Sequence, residues 1–228
     1  MIERILPGTA VAVEAFHDPP DAKLFPEEEA AVGRAVEKRR REFTTARACA
    51  RAALERLGHP PGPIPSGDRG QPRWPSGVVG SITHCDGYRG CVVARTSDLV
   101  TIGIDAEPHE PLPPGLLADI ARPEEMGWLR DLSRSEPQIH WDRLLFSAKE
   151  SVYKAWFPLA ERWLGFEDAE LAVDPREQSF SARLLVPGPI AAGRQISGFA
   201  GRWLVCDGLV VTAIALTAIS PEAEAKKP

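Results

Sequence analysis

The sequence predicts an α+β protein. Three observations carry that prediction. Helical and strand patterns are interleaved without a regular strand–helix–strand rhythm. The stretch 58–75 is so rich in Pro and Gly that it reads as loop. The final apolar runs flank Asp207-Gly208, a dipeptide that favours a two-residue hairpin turn. Taken in order, the chain starts extended and proline-bounded, with Val11, Val13 and Ala15 alternating against Ala12 and Glu14 as in a strand. Pro26 followed by three glutamates predicts a helix over 26–38, because proline suits the first turn and acids suit the positive end of the dipole. A second helix is expected over 42–57, where Phe43, Ala46, Ala50, Ala53, Leu54 and Leu57 recur at helical spacing before Gly58 and Pro60. Strands are expected at 78–79, 90–94 and 100–104, then a Pro-rich loop over 108–114. Residues 116–132 read as helix with a break near Pro123. Trp141, Leu144, Leu145, Ala148, Val152 and Ala155 predict an amphipathic helix that Pro158 should end. Late strands are expected at 171–173, 180–186, 202–206 and 209–216, and the tail 221–228 reads as disordered.

Composition narrows the class. The 228 residues suit one large or two small domains, and a division near residue 100 is compatible with the element order. A formal net charge of −5 gives no support to a general nucleic-acid binder. No apolar run approaches the roughly 18 to 20 residues that span a bilayer. The start Met1-Ile-Glu-Arg-Ile-Leu-Pro7 lacks the pattern of a signal peptide, so a cytoplasmic protein is expected. The four cysteines contain no closely spaced pair and read as reduced thiols, not as a zinc site. The chain holds six lysines against 21 arginines, yet two of the six, Lys149 and Lys154, fall within one helical stretch.

Two segments about forty residues apart carry chemistry. In Val100-Thr-Ile-Gly-Ile-Asp-Ala-Glu-Pro108, strand alternation puts Asp105 and Glu107 on the same face. In Phe146-Ser-Ala-Lys-Glu-Ser-Val-Tyr-Lys154, Glu150 and Lys154 share a helical face. Asp105, Glu107 and Glu150 form a set of carboxylates that suits a hard cation such as Mg²⁺, with Mn²⁺ as an alternative. The competing reading is a strand end reaching solvent beside a surface ion pair. Gly80-Ser81-Ile82-Thr83-His84 offers small hydroxyl residues and a histidine for an anion, or simply a strand end. Arg39, Arg40, Arg47 and the loop residue Arg69 suit a phosphate, or a solvated face.

Taken in sequence order, these pieces resemble the 4′-phosphopantetheinyl transferases of the Sfp type, the branch that serves siderophore, polyketide and fatty-acid synthases. The resemblance rests on Gly103-Ile-Asp-Ala-Glu107, Phe146-Ser-Ala-Lys-Glu-Ser-Val-Tyr-Lys154, Arg39-Arg-Arg-Glu-Phe43 with Arg47, and Gly80-Ser-Ile-Thr-His84. The stretch Trp156-Phe-Pro with Trp163-Leu-Gly-Phe166 is similar too. It implies two similar α/β lobes in a pseudo-twofold arrangement, residues 1–100 for the phosphates of coenzyme A and residues 101–220 for metal and catalysis. The implied reaction moves 4′-phosphopantetheine from coenzyme A to a serine of an acyl or peptidyl carrier protein and releases adenosine 3′,5′-bisphosphate. By that resemblance Asp105, Glu107 and Glu150 hold Mg²⁺, and Glu150 takes the serine proton. Lys154 and His84 neutralise phosphate oxygens, while Arg39 or Arg40 with Arg47 hold the 3′-phosphate. Ser81, Thr83 and Lys149 would help to bind the substrate. Relatives can carry lysine near Ser66, so Arg69 is expected to substitute for it. A two-lobed monomer is implied, with no nucleic-acid or membrane partner. A non-catalytic coenzyme A or carrier-binding module would not need three acids with Lys154. A metal-dependent nuclease would place a lysine after the second acid, where Pro108 and His109 stand.

Overall fold

A computed structural model describes residues 1–218, so the tail 221–228 lies outside the described residues. After a 3₁₀ turn at Ile2–Ile5, the elements are β1 (Val11–Ala15), α1 (Pro26–Glu29) and α2 (Glu37–Arg56). Then come β2 (Val78–Cys85), β3 (Tyr88–Arg95) and β4 (Leu99–Pro108). Next are α3 (Leu116–Ile120), α4 (Glu125–Ser135) and α5 (Trp141–Ala160). The chain closes with β5 (Ala169–Asp174), β6 (Ser179–Leu184), β7 (Ile190–Ala191), β8 (Arg194–Gln195), β9 (Gly198–Cys206) and β10 (Leu209–Thr217).

Two antiparallel sheets result, ordered β1-β3-β2 and β4-β10-β9-β6-β5, with β7 and β8 as a small separate hairpin. Each sheet carries one 20-residue helix, α2 on the first and α5 on the second. The two sheets pack against each other through Tyr88, Val92 and Ala94 on one side and Ile102, Ile104, Ala106 and Val211 on the other. Cys91 and Val93 face α2, whereas Val210 and Ile214 face α5. The order of layers is therefore helix, sheet, sheet, helix. Both faces of the inner strands are covered, which is why the middle of β3 and most of β10 are apolar on alternate residues of both faces. Trp141 and Trp156 of α5 and Trp203 of β9 are fully buried between helix and sheet, where even a smaller side chain such as Leu or Phe would stabilise the fold by about 1.5–3 kcal/mol.

The first sheet's edge strand β2 lies beside the second sheet's edge strand β4 without a backbone ladder. Side-chain hydroxyls fasten the seam instead: Ser81 Oγ accepts from Ile104 N–H at 3.1 Å, and Thr83 Oγ1 accepts from Ala106 N–H at 3.1 Å. Gly103 brings β4 directly onto α5, because a Cβ there would overlap the Ser151 carbonyl and the Ala155 backbone nitrogen. The Asp207-Gly208 turn forms as expected, with φ of 54° and 75°.

Three helix boundaries differ from expectation. The helix expected over 26–38 stops after one turn, and α2 starts at Glu37 behind an extended Val36. Glu28, fully buried, fixes the start of α1: its carboxylate accepts from Phe25 N–H at the N-cap and from Ile64 N–H, and it pairs with Arg51. Beyond Glu29 the chain continues only as a 3₁₀ turn at Ala30–Val32. The expected break near Pro123 separates two helices, α3 and α4. Pro158 does not end α5, which continues to Ala160. Proline there removes the bond its N–H would make to the Lys154 carbonyl, so the helix runs only two residues further before Glu161, with φ of 50°, closes it.

Candidate active site

Alternate residues of β4 meet α5 in register. Thr101 Oγ1 donates to Ala155 O at 2.8 Å, Gly103 touches Ser151 and Ala155, Asp105 pairs with Lys154, and Glu107 pairs with Arg143. Asp105 and Glu107 therefore do leave β4 on one face, and that face looks at the helix bearing Glu150.

Asp105 is 4% exposed. Its Oδ1 accepts from Lys154 Nζ at 2.6 Å and from Thr83 Oγ1 at 3.2 Å, whereas its Oδ2 is buried without a partner. Glu107 Oε2 lies 2.9 Å from Arg143 Nη1. Burial and then the charge of Asp105 push the Glu107 carboxyl up to about 7, against the pull of Arg143 and Lys154. Burial also raises Glu150; Lys154 opposes that shift and Asp105 adds to it. Glu107 and Glu150 thus each sense the charge of Asp105, although among the described residues no three side chains stand as a closed metal-ligand cluster. The donor set still fits a hard divalent cation. It is all carboxylate, it holds one orphaned buried oxygen, and burial with the like charge of Asp105 raises the other two acids, a cost that a bound cation would relieve.

On the first-sheet side, His84 projects from the end of β2 toward α2. Its Nε2 contacts Arg39, and its Nδ1 lies 3.8 Å from Glu42 Oε2. Burial, then the charges of Arg39, Lys154 and Arg89, hold the imidazole down to about 4. The unfolded chain therefore binds the proton first. Between pH 6.5 and about 4, falling pH should cost stability through this residue, and above pH 6.5 it should contribute nothing. Replacing His84 by Asn should flatten the stability profile in that window, as read from urea midpoints. In ¹⁵N NMR, adenosine 3′,5′-bisphosphate should raise the imidazole pKa toward neutrality.

Arg47 is buried; it donates from Nη2 to Ser66 Oγ at 3.0 Å, lies over the Phe43 ring, and leaves Nε unpartnered. The position where relatives can carry lysine thus serves Arg47 here. Arg69 is exposed on the next turn, near enough for its charge to act on the Tyr153 phenol.

Four of the expected substrate contacts are placed differently. Lys149 is 3% exposed and points away from Asp105. Its ammonium pairs with Glu125 Oε2 at 2.9 Å and donates to the carbonyls of Ile120, Phe166 and Ala169 at 3.0, 2.8 and 3.2 Å. No donor is left for a phosphate. Lys149→Met should destabilise the fold by about 3–5 kcal/mol in urea unfolding, because the Glu125 carboxylate stays buried and loses its counter-charge. Ser81 and Thr83 are buried with their hydroxyls engaged at the seam, Thr83 also orienting Asp105. Gly80 is covered by the Trp74 ring, not open to an anion. Arg40 pairs with Glu29, so Arg39 alone of the two reaches His84.

Sequence reasoning missed three features. Arg143 holds Glu107, and Glu125 holds Lys149. Beside Glu150, a pocket of about 150 Å³ is lined by Tyr153, Trp163, Leu164 and Phe166 among others. Trp163 is 66% exposed at its rim, with ring centroids 5.0 Å from Tyr153. The one-turn spacing of Glu150 and Tyr153 on the helix was the available signal for that pocket.

Comparison with known proteins gives the chain a family. Residues 27–94 match the 4′-phosphopantetheinyl transferase N-terminal domain, and residues 101–203 match the 4′-phosphopantetheinyl transferase superfamily. The chain is 59% identical to 4′-phosphopantetheinyl transferase Svp of Streptomyces mobaraensis, over 98% of this chain and 92% of that one. It is 49% identical to Npt of Nocardia iowensis, over 94% and 99%, and 48% identical to PptT of Mycobacterium tuberculosis, over 95% and 98%. The chain belongs to the 4′-phosphopantetheinyl transferase superfamily.

Proposed function

We propose that this chain transfers 4′-phosphopantetheine from coenzyme A to a serine of an acyl or peptidyl carrier protein. The observation that carries the reading is the meeting of Asp105 and Lys154, from strand and helix, at 2.6 Å beside Glu107 and Glu150. The serine oxygen attacks the pantetheine-side phosphorus, the bond from that phosphorus to the bridging oxygen breaks, and adenosine 3′,5′-bisphosphate departs. Glu150 accepts the serine proton, a role that suits a carboxylate whose pKa is raised by burial.

Asp105, Glu107 and Glu150 would hold Mg²⁺, or Mn²⁺, which when bound neutralises the diphosphate and the developing negative charge. Lys154 donates to a diphosphate oxygen after releasing Asp105. Arg39, Arg47 and His84 form the 3′-phosphate site, in which the buried, unpartnered Nε of Arg47 is a ready donor. Arg69, on its exposed turn, supplies charge at the mouth. The pocket beside Glu150 accepts the pantetheine arm, with Tyr153 and Trp163 as its walls. On this reading residues 1–100 bind the nucleotide end and residues 101–220 carry the chemistry. Among the described residues no helix is long and apolar enough to cross a membrane, and the enzyme is proposed to act as a cytoplasmic monomer.

Relatives include enterobactin synthase component D of Salmonella typhi, 36% identical over 52% of this chain and 49% of that one. Siderophore or other secondary-metabolite synthases are accordingly the proposed source of the carrier.

The test is intact-mass analysis of apo carriers incubated with the chain, coenzyme A and Mg²⁺. Each competent carrier should gain one phosphopantetheine group, and the gain should vanish with chelator and return with Mg²⁺. A panel of carriers left unmodified by excess enzyme would overturn the reading.

A further inference from the structure

Arg143 has no part in the chemistry described above, yet it is the most heavily engaged residue around Glu107. Its guanidinium donates from Nη1 to Glu107 Oε2 at 2.9 Å, from Nε to Glu110 O at 3.1 Å and from Nη2 to Pro111 O at 3.0 Å. Its side chain is only 13% exposed. The adjacent Asp142 accepts from Leu112 N–H at 2.8 Å, and His109 Nε2 accepts from His140 N–H at 3.1 Å. The first turn of α5 is thereby bracketed onto the segment that follows Glu107. A guanidinium locked by two carbonyls cannot swing away cheaply, so the Glu107 ion pair is built into the scaffold.

That pairing bears on the cation. A fixed positive charge beside a carboxylate cancels much of the potential a second cation would feel there, whichever carboxylate oxygen is free. Lys154 does the same to Asp105 at 2.6 Å. Two of the three acids are therefore already compensated within the protein. The diphosphate of coenzyme A brings the negative charge that those pairings remove.

We propose that Arg143 is a positioning residue that holds Glu107 in reserve, so that a divalent cation is gripped tightly only together with coenzyme A. The proposal rests on the metal assignment above. By linkage, coenzyme A must then tighten the cation by the same factor as the cation tightens coenzyme A.

The test is Mn²⁺ binding to the full chain, followed by the EPR signal of free Mn²⁺, with and without coenzyme A. In the wild type, affinity should rise about tenfold or more when coenzyme A is present. Without coenzyme A, and compared at a pH high enough that Glu107 is ionised in both proteins, Arg143→Gln should bind Mn²⁺ about tenfold more tightly than wild type, since one opposing charge is gone. The effect should disappear in a Glu107→Gln background. Arg143→Gln binding no more tightly than wild type would overturn the proposal. Should that variant fail to fold, the wild type decides by ¹⁵N NMR of the guanidinium. The Arg143 resonance should move with Mg²⁺ and coenzyme A together and stay with Mg²⁺ alone; an equal shift with Mg²⁺ alone overturns the proposal. A wild type that binds Mn²⁺ equally well with and without coenzyme A refutes the reserve role alone. A wild type that binds none under either condition, while still modifying carriers, refutes the metal assignment with it.

Discussion

Glu150→Gln should lower the turnover number for carrier modification about a thousandfold and change coenzyme A affinity less than about threefold. The amide keeps the volume and the neighbours but cannot take the serine proton. Burial raises this carboxylate above its ordinary value, with Lys154 on the next turn opposing the shift, which makes Glu150 a stronger base than an exposed glutamate. Quenched-flow measurement of modified carrier gives turnover, and calorimetry gives affinity for coenzyme A. A variant with unimpaired turnover removes Glu150 from catalysis. A variant that loses binding and turnover in equal measure makes it a substrate ligand and not a base.

Gly103→Ala should damage the fold severely, where the active site is built. The added methyl would sit inside the Ser151 carbonyl and against the Ala155 backbone nitrogen, and backbone on both sides cannot give way. A loss of about 3 kcal/mol or more, or failure to accumulate folded protein, is expected. Because β4 and α5 would be forced apart, the pairing of Asp105 with Lys154 should fail with it. Gly127→Ala in α4 is the contrast: its Cβ would meet nothing within 4 Å. There alanine should stabilise the helix by up to about 1 kcal/mol. Urea midpoints of the two variants measure both effects, and a Gly103→Ala protein as stable as wild type would contradict the packing described.

Most strands and the two long helices were legible because apolar residues repeat at the right period. The late hairpin was legible from one dipeptide, Asp207-Gly208, whose positive φ angles the structure contains. The early end of the helix expected over 26–38 was not, because Ala30–Val32 pass into a 3₁₀ turn and Val36 is extended, which no local pattern reveals. At the site, the alternation that puts Asp105 and Glu107 on one face could be read directly, and so could the one-turn spacing of Glu150 and Lys154. What those side chains touch could not. Lys149 stands beside Glu150 in sequence, but one residue is 100° of helical rotation, which turns it from the acids into a nest of carbonyls. Ser81 and Thr83 look like anion-binding hydroxyls, and only the meeting of two sheet edges shows them bonded to Ile104 and Ala106. Arg143 gave no sign at all, since its three acceptors lie more than thirty residues away.

The central claim is that acids from β4 and α5 grip a cation on the diphosphate while Arg39, Arg47 and His84 keep the 3′-phosphate apart from it. ³¹P NMR of coenzyme A bound to the chain, titrated with Mn²⁺, tests this directly. The two diphosphate resonances should broaden well before the 3′-phosphate resonance, and Asp105→Asn should abolish the difference. Equal broadening of all three phosphates, or selective broadening that survives Asp105→Asn, would contradict it.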